Sequence, residues 1–299
     1  MKNILIIGCG LIGSSILRTV INKKIAKKVF VYEKSKINIL KIKRLKLSCK
    51  IINNFKDIVP NMDLIIFCTP LGEYEKIIFK INKYLLPKTI ITDVGSSKKK
   101  SIEIIKKQLK KGISWTSSHP IAGSEVSGPE YGTKDMFYNK WCIIIKEKDT
   151  NMKHLSELSK FWKKIGSRVS VMDSKKHDTI FAITSHLPHL IAYNLVKTAT
   201  DFEKKQRYEL IKFSAGGLRD FSRIAASNEI MWRDIFFNNQ KNISKVIDLF
   251  IKNLLAFKKD IQSNDAKSII KKLIDTKKVR KKIIRLKQDT DKPDFGRNT

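Results

Sequence analysis

The fold prediction starts from the segment Asn3-Ile4-Leu5-Ile6-Ile7-Gly8-Cys9-Gly10-Leu11-Ile12-Gly13. Its first five residues form a short, isoleucine-rich run that is typical of a buried strand. The glycines follow with the spacing G-x-G-x-x-G and open a helical stretch, which is the context that a dinucleotide-binding turn requires. The first glycine permits the tight turn, the second lets the backbone approach a pyrophosphate, and the third lets the helix pack on the strand. The predicted cofactor-binding residues of this turn are Gly8, Gly10, Leu11, Ile12 and Gly13.

The second predicted strand, residues 29–32, ends at Glu33, about 20 residues beyond Gly13. An acidic residue at this position binds the adenosine ribose hydroxyls, and its charge repels a 2′-phosphate. Glu33 is therefore a predicted cofactor contact that favours NAD over NADP. The neighbouring Lys34 leaves some use of NADP open.

Strands and helices continue to alternate along the N-terminal half. Strands are predicted over residues 63–68 and 88–94, and helices over residues 72–85 and 98–110. Ligands of an open parallel sheet bind beyond the carboxyl ends of its strands. Thr69, Pro70 and Ser96 follow such ends, so we expect them to line the nicotinamide half of the crevice. Ser96 and Ser97 also suit a helix cap, and both roles stay open.

A change of pattern after Met172 predicts a domain boundary. Further strands are predicted over residues 113–116, 141–146 and 168–172, and the later periodicity is helical. The predicted helices cover residues 178–202, 229–259 and 266–287, with a glycine-containing break around Gly216 and Gly217. The predicted architecture is an α/β Rossmann domain with a mostly parallel, doubly wound sheet, followed by an all-α domain. The predicted bounds are 1–172 for the first domain, 173–288 for the second and 289–299 for a disordered tail.

Composition limits the classes of protein to consider. The chain has 299 residues, of which 42% are hydrophobic, and a formal net charge of +33. No basic run is interleaved with aromatic residues, so we interpret the charge as a solvated surface and expect no nucleic-acid partner. The four cysteines lack a CxxC spacing, which indicates a reducing compartment and no structural metal. No stretch has the length and purity of a transmembrane helix, and we expect a cytoplasmic protein without a membrane partner.

One polar segment combines loop-forming residues with groups that can move protons. It reads Ser117-Ser118-His119-Pro120-Ile121-Ala122-Gly123-Ser124-Glu125-Val126-Ser127-Gly128-Pro129 and is a loop by composition. A polar loop between β-like runs is more typical of a functional site than of a core. We therefore expect the cofactor on one side of this segment and a substrate on the other.

Three blocks follow the glycine turn in order. They are His119-Pro120-Ile121-Ala122-Gly123-Ser124-Glu125, Ser185-His186-Leu187-Pro188-His189 and Phe221-Ser222-Arg223-Ile224-Ala225. Together with Met231-Trp232-Arg233-Asp234 they resemble the prephenate/arogenate dehydrogenase family of tyrosine biosynthesis, over nearly the whole chain. The resemblance implies a homodimer formed through the helical domain, an active site between the domains, and NAD-dependent oxidative decarboxylation of a small dicarboxylate, prephenate or arogenate.

The resemblance also implies roles for single residues. His119 is the catalytic base for the ring hydroxyl, and a neutral imidazole suits that role near pH 7. Ser96 orients the imidazole or the hydroxyl, and Arg223 binds the ring carboxylate through its guanidinium fork. Arg219 and Arg233 are weaker candidates for a carboxylate. The other implied substrate contacts are Ser124, Glu125, His186 and His189.

The histidines other than His119 also have interpretations without a role in the substrate site. His186 and His189 are three residues apart and could form half of a metal site, but no cluster completes it and we predict no metal. Either can also be a buried, hydrogen-bonded histidine. His154 and His177 are predicted to lie on the surface, and the adjacent Asp178 is predicted to act as a helix cap.

Two other functions stay open. A two-domain Rossmann dehydrogenase of the β-hydroxyacid type uses a lysine of its helical domain as acid/base, which leaves the His119 and Arg223 blocks without a role. A basic nucleic-acid-binding protein explains the charge but neither Glu33 nor the His119 segment. Strong DNA binding with a steep salt dependence favours that second function.

Overall fold

The computed structural model describes residues 1–207 and 209–286, so the predicted tail over 289–299 lies outside the described residues. Five parallel strands form the first sheet in the order β3-β2-β1-β4-β5. Because the strand order reverses between β1 and β4, a crevice opens beyond their carboxyl ends. The strands are β1 (Asn3–Ile7), β2 (Lys28–Tyr32), β3 (Lys50–Ile52), β4 (Leu64–Phe67) and β5 (Ile90–Asp93).

Helices cover both faces of this sheet, which explains the uninterrupted apolar runs in its strands. Alternate residues of β1 pack into two different hydrophobic clusters, with Leu5 and Ile7 in one and Ile4 and Ile6 in the other. The first cluster takes residues from α3 and α4, and the second takes residues from α1, α2 and α5. These helices are α1 (Leu11–Asn22), α2 (Lys36–Arg44), α3 (Tyr74–Ile81), α4 (Lys99–Gln108) and α5 (Met152–Ile165).

A second, three-stranded sheet carries the His119 segment. Strand β6 (Ser118–Pro120) pairs antiparallel with β7 (Trp141–Ile145), which pairs parallel with β8 (Arg168–Met172). The prediction of a loop at His119 was therefore wrong at residues 118–120. The strand predicted at residues 113–116 is reduced to one isolated bridge, between Ile91 and Trp115.

Every regular element that the structure describes after Met172 is helical, and the predicted fold class is confirmed. The prediction of a break at Gly216 and Gly217 was wrong, because these two residues open a helix. The helix predicted over 229–259 divides at Asn239. No described helix has the length and apolarity to cross a membrane. The helices are α6 (Ser174–Phe181), α7 (Leu187–Gln206), α8 (Gly216–Ala225), α9 (Glu229–Asn238), α10 (Gln240–Gln262) and α11 (Ala266–Arg285).

A π-helical turn, Ala182–His186, joins α6 to α7. Pro188 has no N–H to donate to the carbonyl of Thr184, and its ring would clash with that carbonyl in a regular α-helix, so the backbone widens there. The wider turn places Thr184 and Ser185 on the wall of the cleft described below.

A buried ion pair ties the two sheets together. Lys98 Nζ donates to Asp93 Oδ2 at 2.7 Å and to the carbonyl of Ser118 at 2.6 Å, and both side chains are almost fully buried. Burial lowers the pKa of Lys98, and the Asp93 carboxylate opposes that shift. Asp93 also accepts hydrogen bonds from the hydroxyls of Tyr74 and Ser117 and from the N–H of Gly95. The carboxyl end of β5 is therefore joined to β6.

Replacing Lys98 with Met should lower the free energy of unfolding by about 3–5 kcal/mol, because Asp93 is left buried without its cation. Lys106→Met is the matched control, since Lys106 pairs with Asp149 near the surface and its loss should cost about 1 kcal/mol or less. Urea denaturation of both variants measures the difference. Equal, small losses for the two lysines would show that the buried pair does not hold the sheets together.

Candidate active site

A cleft of about 1230 Å³ runs between the carboxyl ends of the parallel strands and the helical domain. Both domains contribute to its wall, including Phe181 and Trp232 from the helical domain. The predicted site residues on the wall are Gly10, Leu11, Ile12, Thr69, Pro70, Ser96, His119, Ser124, Glu125, His189 and Arg223. The structure thus brings most of the predicted cofactor and substrate residues to one cavity.

The glycine turn leaves room for a phosphate group. A Cβ at Gly13 would lie 2.1 Å from the carbonyl oxygen of Gly8, so this glycine allows α1 to pack on the turn. A Cβ at Gly10 would meet nothing within 4 Å and would project into open space. The first turn of α1 has no side-chain cap, so its N–H groups can bind an anion. Thr69 Oγ1, at the end of β4, is buried and has no hydrogen-bond partner among the described residues.

Glu33 is held at the end of β2 by two backbone donors. Its Oε2 accepts from the N–H of Cys9 at 2.8 Å, and its Oε1 accepts from the N–H of Ser35 at 2.9 Å. Lys34 extends toward Glu73, at 3.9 Å. The carboxylate is thus fixed beside the glycine turn, and these residues fit a dinucleotide that carries free ribose hydroxyls.

His119 is buried in strand β6 and contacts the helical domain. Its Nδ1 lies 2.9 Å from His177 Nε2, and its ring lies 4.9 Å from that of Phe181. Burial lowers the pKa of His119 well below 6.5, and the positive charges that His177, Lys98 and His186 can carry lower it further. The imidazole is therefore neutral at pH 7.

His154 and His177 were wrongly predicted to lie on the surface, and Asp178 caps a helix other than its own. His177 is fully buried instead of lying on the surface, and His154 is also buried, with its Nδ1 2.8 Å from Ser114 Oγ. Asp178 caps a helix distant in sequence: its two oxygens accept from the N–H groups of Lys98 and Lys99 at the start of α4. Ser96 and Ser97 consequently do not cap that helix.

The sequence did hold a signal for these buried polar residues. The buried positions of α6 are Ser174, His177, Asp178 and Phe181. This is the i, i+3, i+4, i+7 spacing of a helix face that packs on a core. Three polar residues on such a face must be paired inside the protein.

Arg223 reaches the cleft from α8 and pairs with Glu125. Its NH1 lies 3.4 Å from Glu125 Oε2, and Ser124 Oγ donates to the same oxygen at 2.9 Å. Hydrogen bonds from its own backbone N–H and from Ser124 lower the pKa of Glu125, and Arg223 adds to this shift. Arg223 Nε is buried and lacks a hydrogen-bond partner in the part of the chain that the structure describes. This guanidinium therefore has donors left for an anion.

The two histidines of the second block have different surroundings. His189 lies on the cleft wall and stacks on Trp232, with ring centroids 3.9 Å apart, and its Nδ1 donates to the carbonyl of Ser185. His186 is fully buried behind the wall, with its Nδ1 3.1 Å from Asn239 Nδ2. The structure thus differs from the expectation that His186 contacts the substrate.

The weaker arginine candidates do not reach the cleft wall. Arg219 is exposed, and Arg233 pairs with its neighbour Asp234 at 2.7 Å. Asp234 in turn accepts from the N–H of Gly72 at 2.9 Å, which holds α9 against the start of the helix after β4. Within residues 1–207 and 209–286, no group of three or more His, Cys, Asp or Glu side chains could hold a metal ion.

Comparisons with known proteins agree with this arrangement. Residues 17–171 match the model of the prephenate dehydrogenase nucleotide-binding domain, and residues 173–275 match that of the prephenate dehydrogenase dimerization domain. The chain is 33% identical to the cyclohexadienyl dehydrogenase of Zymomonas mobilis, over 97% of this chain and 98% of that protein. It is 27% identical to the prephenate dehydrogenase of Bacillus subtilis, over 90% of this chain and 72% of that protein.

A solved structure gives the same result. The crystal structure of prephenate dehydrogenase from A. aeolicus, in complex with hydroxyphenyl propionate and NAD+, superposes with a TM-score of 0.88 at 31% identity. The match covers 95% of this chain and 98% of that one. The family predicted from the sequence blocks is confirmed, and this chain belongs to the prephenate dehydrogenase family.

Proposed function

We propose that this chain catalyses the NAD-dependent oxidative decarboxylation of prephenate to 4-hydroxyphenylpyruvate, of arogenate to tyrosine, or of both. One observation carries the proposal: the glycine turn at Gly10, the neutral imidazole of His119 and the guanidinium of Arg223 line a single cleft. The reaction needs a dinucleotide, a proton acceptor and a cation for a carboxylate, and these three residues supply a site for each.

NAD is the cofactor that the residues around the glycine turn favour. The A. aeolicus relative was solved with NAD+, and the carboxylate of Glu33 is fixed where it would repel a 2′-phosphate. Gly10 and the uncapped first turn of α1 would hold the pyrophosphate, and Thr69 and Pro70 would contact the nicotinamide half. Bound NAD supplies the acceptor for a hydride.

His119 is the proposed base. It takes the proton of the ring hydroxyl while the hydride leaves the carbon that bears this hydroxyl. Ser96, on the same wall, orients the hydroxyl or the imidazole. Because the imidazole is neutral and buried, it can accept this proton without first losing one of its own.

Arg223 is the proposed contact for the ring carboxylate of the substrate, and His189 is a second proposed substrate contact. Arg223 Nε is an unused buried donor, and a guanidinium matches a carboxylate in geometry. His189 is held by Trp232 and Ser185, so its Nε2 has a fixed direction. Ser124 and Glu125 hold Arg223 in place.

Loss of carbon dioxide balances the reaction. The bond from the ring to its carboxylate breaks, carbon dioxide leaves, and the electron pair enters the ring, which becomes aromatic. The phenolate oxygen regains the proton from His119. The chain therefore contributes positioning and one proton acceptor.

The alternative function, a β-hydroxyacid dehydrogenase, lacks its acid/base residue in this cleft. That chemistry uses a lysine of the helical domain. Of the described residues, the only lysine on the cleft wall is Lys140, which precedes β7 in the N-terminal domain.

The role of His119 predicts both a loss of rate and a pH profile. His119→Asn should lower kcat by roughly 10²–10⁴-fold, the usual contribution of a general base, and leave the KM for prephenate nearly unchanged. In the wild type, kcat/KM should stay level as the pH falls past 6.5, because the pKa of His119 is lowered. It should decline only when the pH reaches that lowered pKa and the imidazole becomes protonated. Initial rates of NADH formation, with prephenate and arogenate offered separately, measure both effects.

His154→Asn is the matched control, because His154 is a buried histidine of the same domain away from the cleft. It should keep the wild-type kcat. A His119→Asn enzyme that turns over at the wild-type rate would contradict the proposed base. No turnover of either substrate by the wild type, with NAD or with NADP, would contradict the proposed reaction.

Glu33 should control the choice of cofactor. Glu33→Gln keeps a hydrogen-bond acceptor at the glycine turn but removes the charge, so the NAD/NADP ratio of kcat/KM should fall by roughly tenfold, about 1.4 kcal/mol. Glu73→Gln is the control, since this nearby carboxylate pairs with Lys34 and Lys76 on the surface. An unchanged ratio in Glu33→Gln would assign the discrimination to another residue.

We further propose that two copies associate through the helical domain. Residues 173–275 match a dimerization domain, and α10 exposes apolar side chains at Ile251, Leu254 and Leu255. These side chains share one helix face and are between 47% and 58% exposed, which is unfavourable in water.

Analytical ultracentrifugation should give twice the 34.5 kDa chain mass for the wild type. Leu254→Asp should shift it toward monomer, because a carboxylate would be buried in the contact. Phe79→Asp, at an apolar residue of α3 that is 82% exposed, is the control and should stay dimeric. A monomeric wild type would contradict the assembly.

A further inference from the structure

Three buried side chains form one hydrogen-bonded line that crosses from the helical domain to the cleft. Asp178 Oδ1 lies 2.8 Å from His177 Nδ1, and His177 Nε2 lies 2.9 Å from His119 Nδ1. Asp178 and His177 belong to α6, whereas His119 belongs to β6. His177 is fully buried and Asp178 is 2% exposed, so water does not compete for these contacts.

The backbone contacts of Asp178 determine which atom donates and which accepts in each hydrogen bond of this line. The N–H of Lys98 donates to Oδ1 at 2.9 Å, and the N–H of Lys99 donates to Oδ2 at 2.9 Å. Backbone amides can only donate, so both carboxylate oxygens are acceptors, and the N-terminus of α4 favours the negative charge. The contact with His177 therefore has His177 Nδ1–H as its donor.

The tautomers of the two histidines follow from that donor. Burial lowers the pKa of His177, so its ring is neutral at pH 7 and carries one N–H. With Nδ1 protonated, Nε2 of His177 is a lone-pair acceptor. His119 Nδ1 must then donate to it. A neutral His119 that carries its proton on Nδ1 has a free electron pair on Nε2.

We propose that His177 and Asp178 are positioning residues that select this tautomer of His119 and so aim the Nε2 electron pair at the substrate hydroxyl. This inference rests on the proposed role of His119 as the base. An imidazole without such a partner distributes its proton over both nitrogens, and the Nε2–H form cannot accept a proton from the substrate.

The ring packing fixes the orientation as well as the tautomer. Phe181 lies one helical turn after His177 and contacts both rings, with centroid distances of 4.5 Å to His177 and 4.9 Å to His119. Asn239, at the junction of α9 and α10, donates to the backbone carbonyl of Asp178 at 2.7 Å. Asp178 of α6 is thus held by both α4 and Asn239, and His119 acquires its base form through the packing of the helical domain on the N-terminal domain.

The tautomer of His119 can be read without any turnover. The chain has five histidines, so selective 15N-histidine labelling and two-bond 1H–15N correlation spectra distinguish them, with each signal assigned by substitution. In the wild type, His119 Nδ1 should show the shift of a protonated nitrogen and Nε2 that of an unprotonated one. A wild-type His119 with its proton on Nε2 overturns the proposal, even if His119→Asn is inactive.

His177→Phe and His177→Gln separate hydrogen bonding from packing. Phe keeps a ring against Phe181 but accepts no hydrogen bond, so the Nε2–H form of His119 should appear and kcat should fall at least roughly tenfold. The upper limit is roughly 10⁴-fold. This is the loss of kcat in a serine protease when its catalytic histidine is held in the wrong tautomer. Gln can accept from His119 Nδ1 through Oε1 and should recover most of the rate. In both variants the KM for prephenate should stay near its wild-type value.

The control is His154→Phe, which removes another buried histidine and should change neither kcat nor the His119 spectrum. Wild-type kcat in a folded His177→Phe enzyme would overturn the proposal. If His119→Asn stays active while wild-type His119 has the expected tautomer, the proposed base fails and the tautomer assignment stands. If His177→Phe does not fold, the proposal is still tested by the tautomer of His119 in the wild-type spectrum and by kcat of His177→Gln.

Discussion

The buried carboxylate of Asp93 is the constraint on which the cleft depends. It ends β5, accepts hydrogen bonds from Tyr74, Ser117 and Gly95, and pairs with Lys98. The ammonium group of Lys98 also binds the carbonyl of Ser118. A fully buried ammonium group is unfavourable unless its charge is paired and hydrogen-bonded, so Asp93 and Ser118 have little freedom to move away from Lys98. The residue after Ser118 is His119, and the position of the proposed base therefore depends on an ion pair whose two residues do not line the cleft.

The helical domain also holds the proposed site residues in place. Asp178 accepts the N–H groups at the start of α4, and His177 contacts His119 across the domain boundary. Arg223 comes from the same domain and meets Glu125 of the His119 segment. The proposed base and the proposed carboxylate-binding arginine thus each make a contact between the domains. A substitution at that boundary can change catalysis without contacting the substrate.

The sequence predicted the features that depend on residues close together in the chain. The glycine turn lies between a strand and a helix in the chain itself, so Gly8, Gly10 and Gly13 were interpretable without the fold. Strand β6 was missed because Ser118-His119-Pro120 has no apolar alternation, and its place is set by Lys98 and by the carbonyl of Asp93, which accepts from Ser118 Oγ. His177 was assigned to the surface because its partners, His119 and Asp178, are arranged only by tertiary packing. The family resemblance supplied roles for His119 and Arg223 that periodicity alone could not.

The proposed reaction couples oxidation to loss of carbon dioxide within one cleft. The most direct measurement is the ratio of carbon dioxide released to NADH formed, with purified wild-type protein, NAD and prephenate, and with arogenate in a parallel reaction. The proposed reaction gives a ratio of one with at least one of the two substrates, and an aromatic product in the same amount. NADH formation without carbon dioxide would mean that the cleft oxidises a different hydroxy acid, and it would contradict the account.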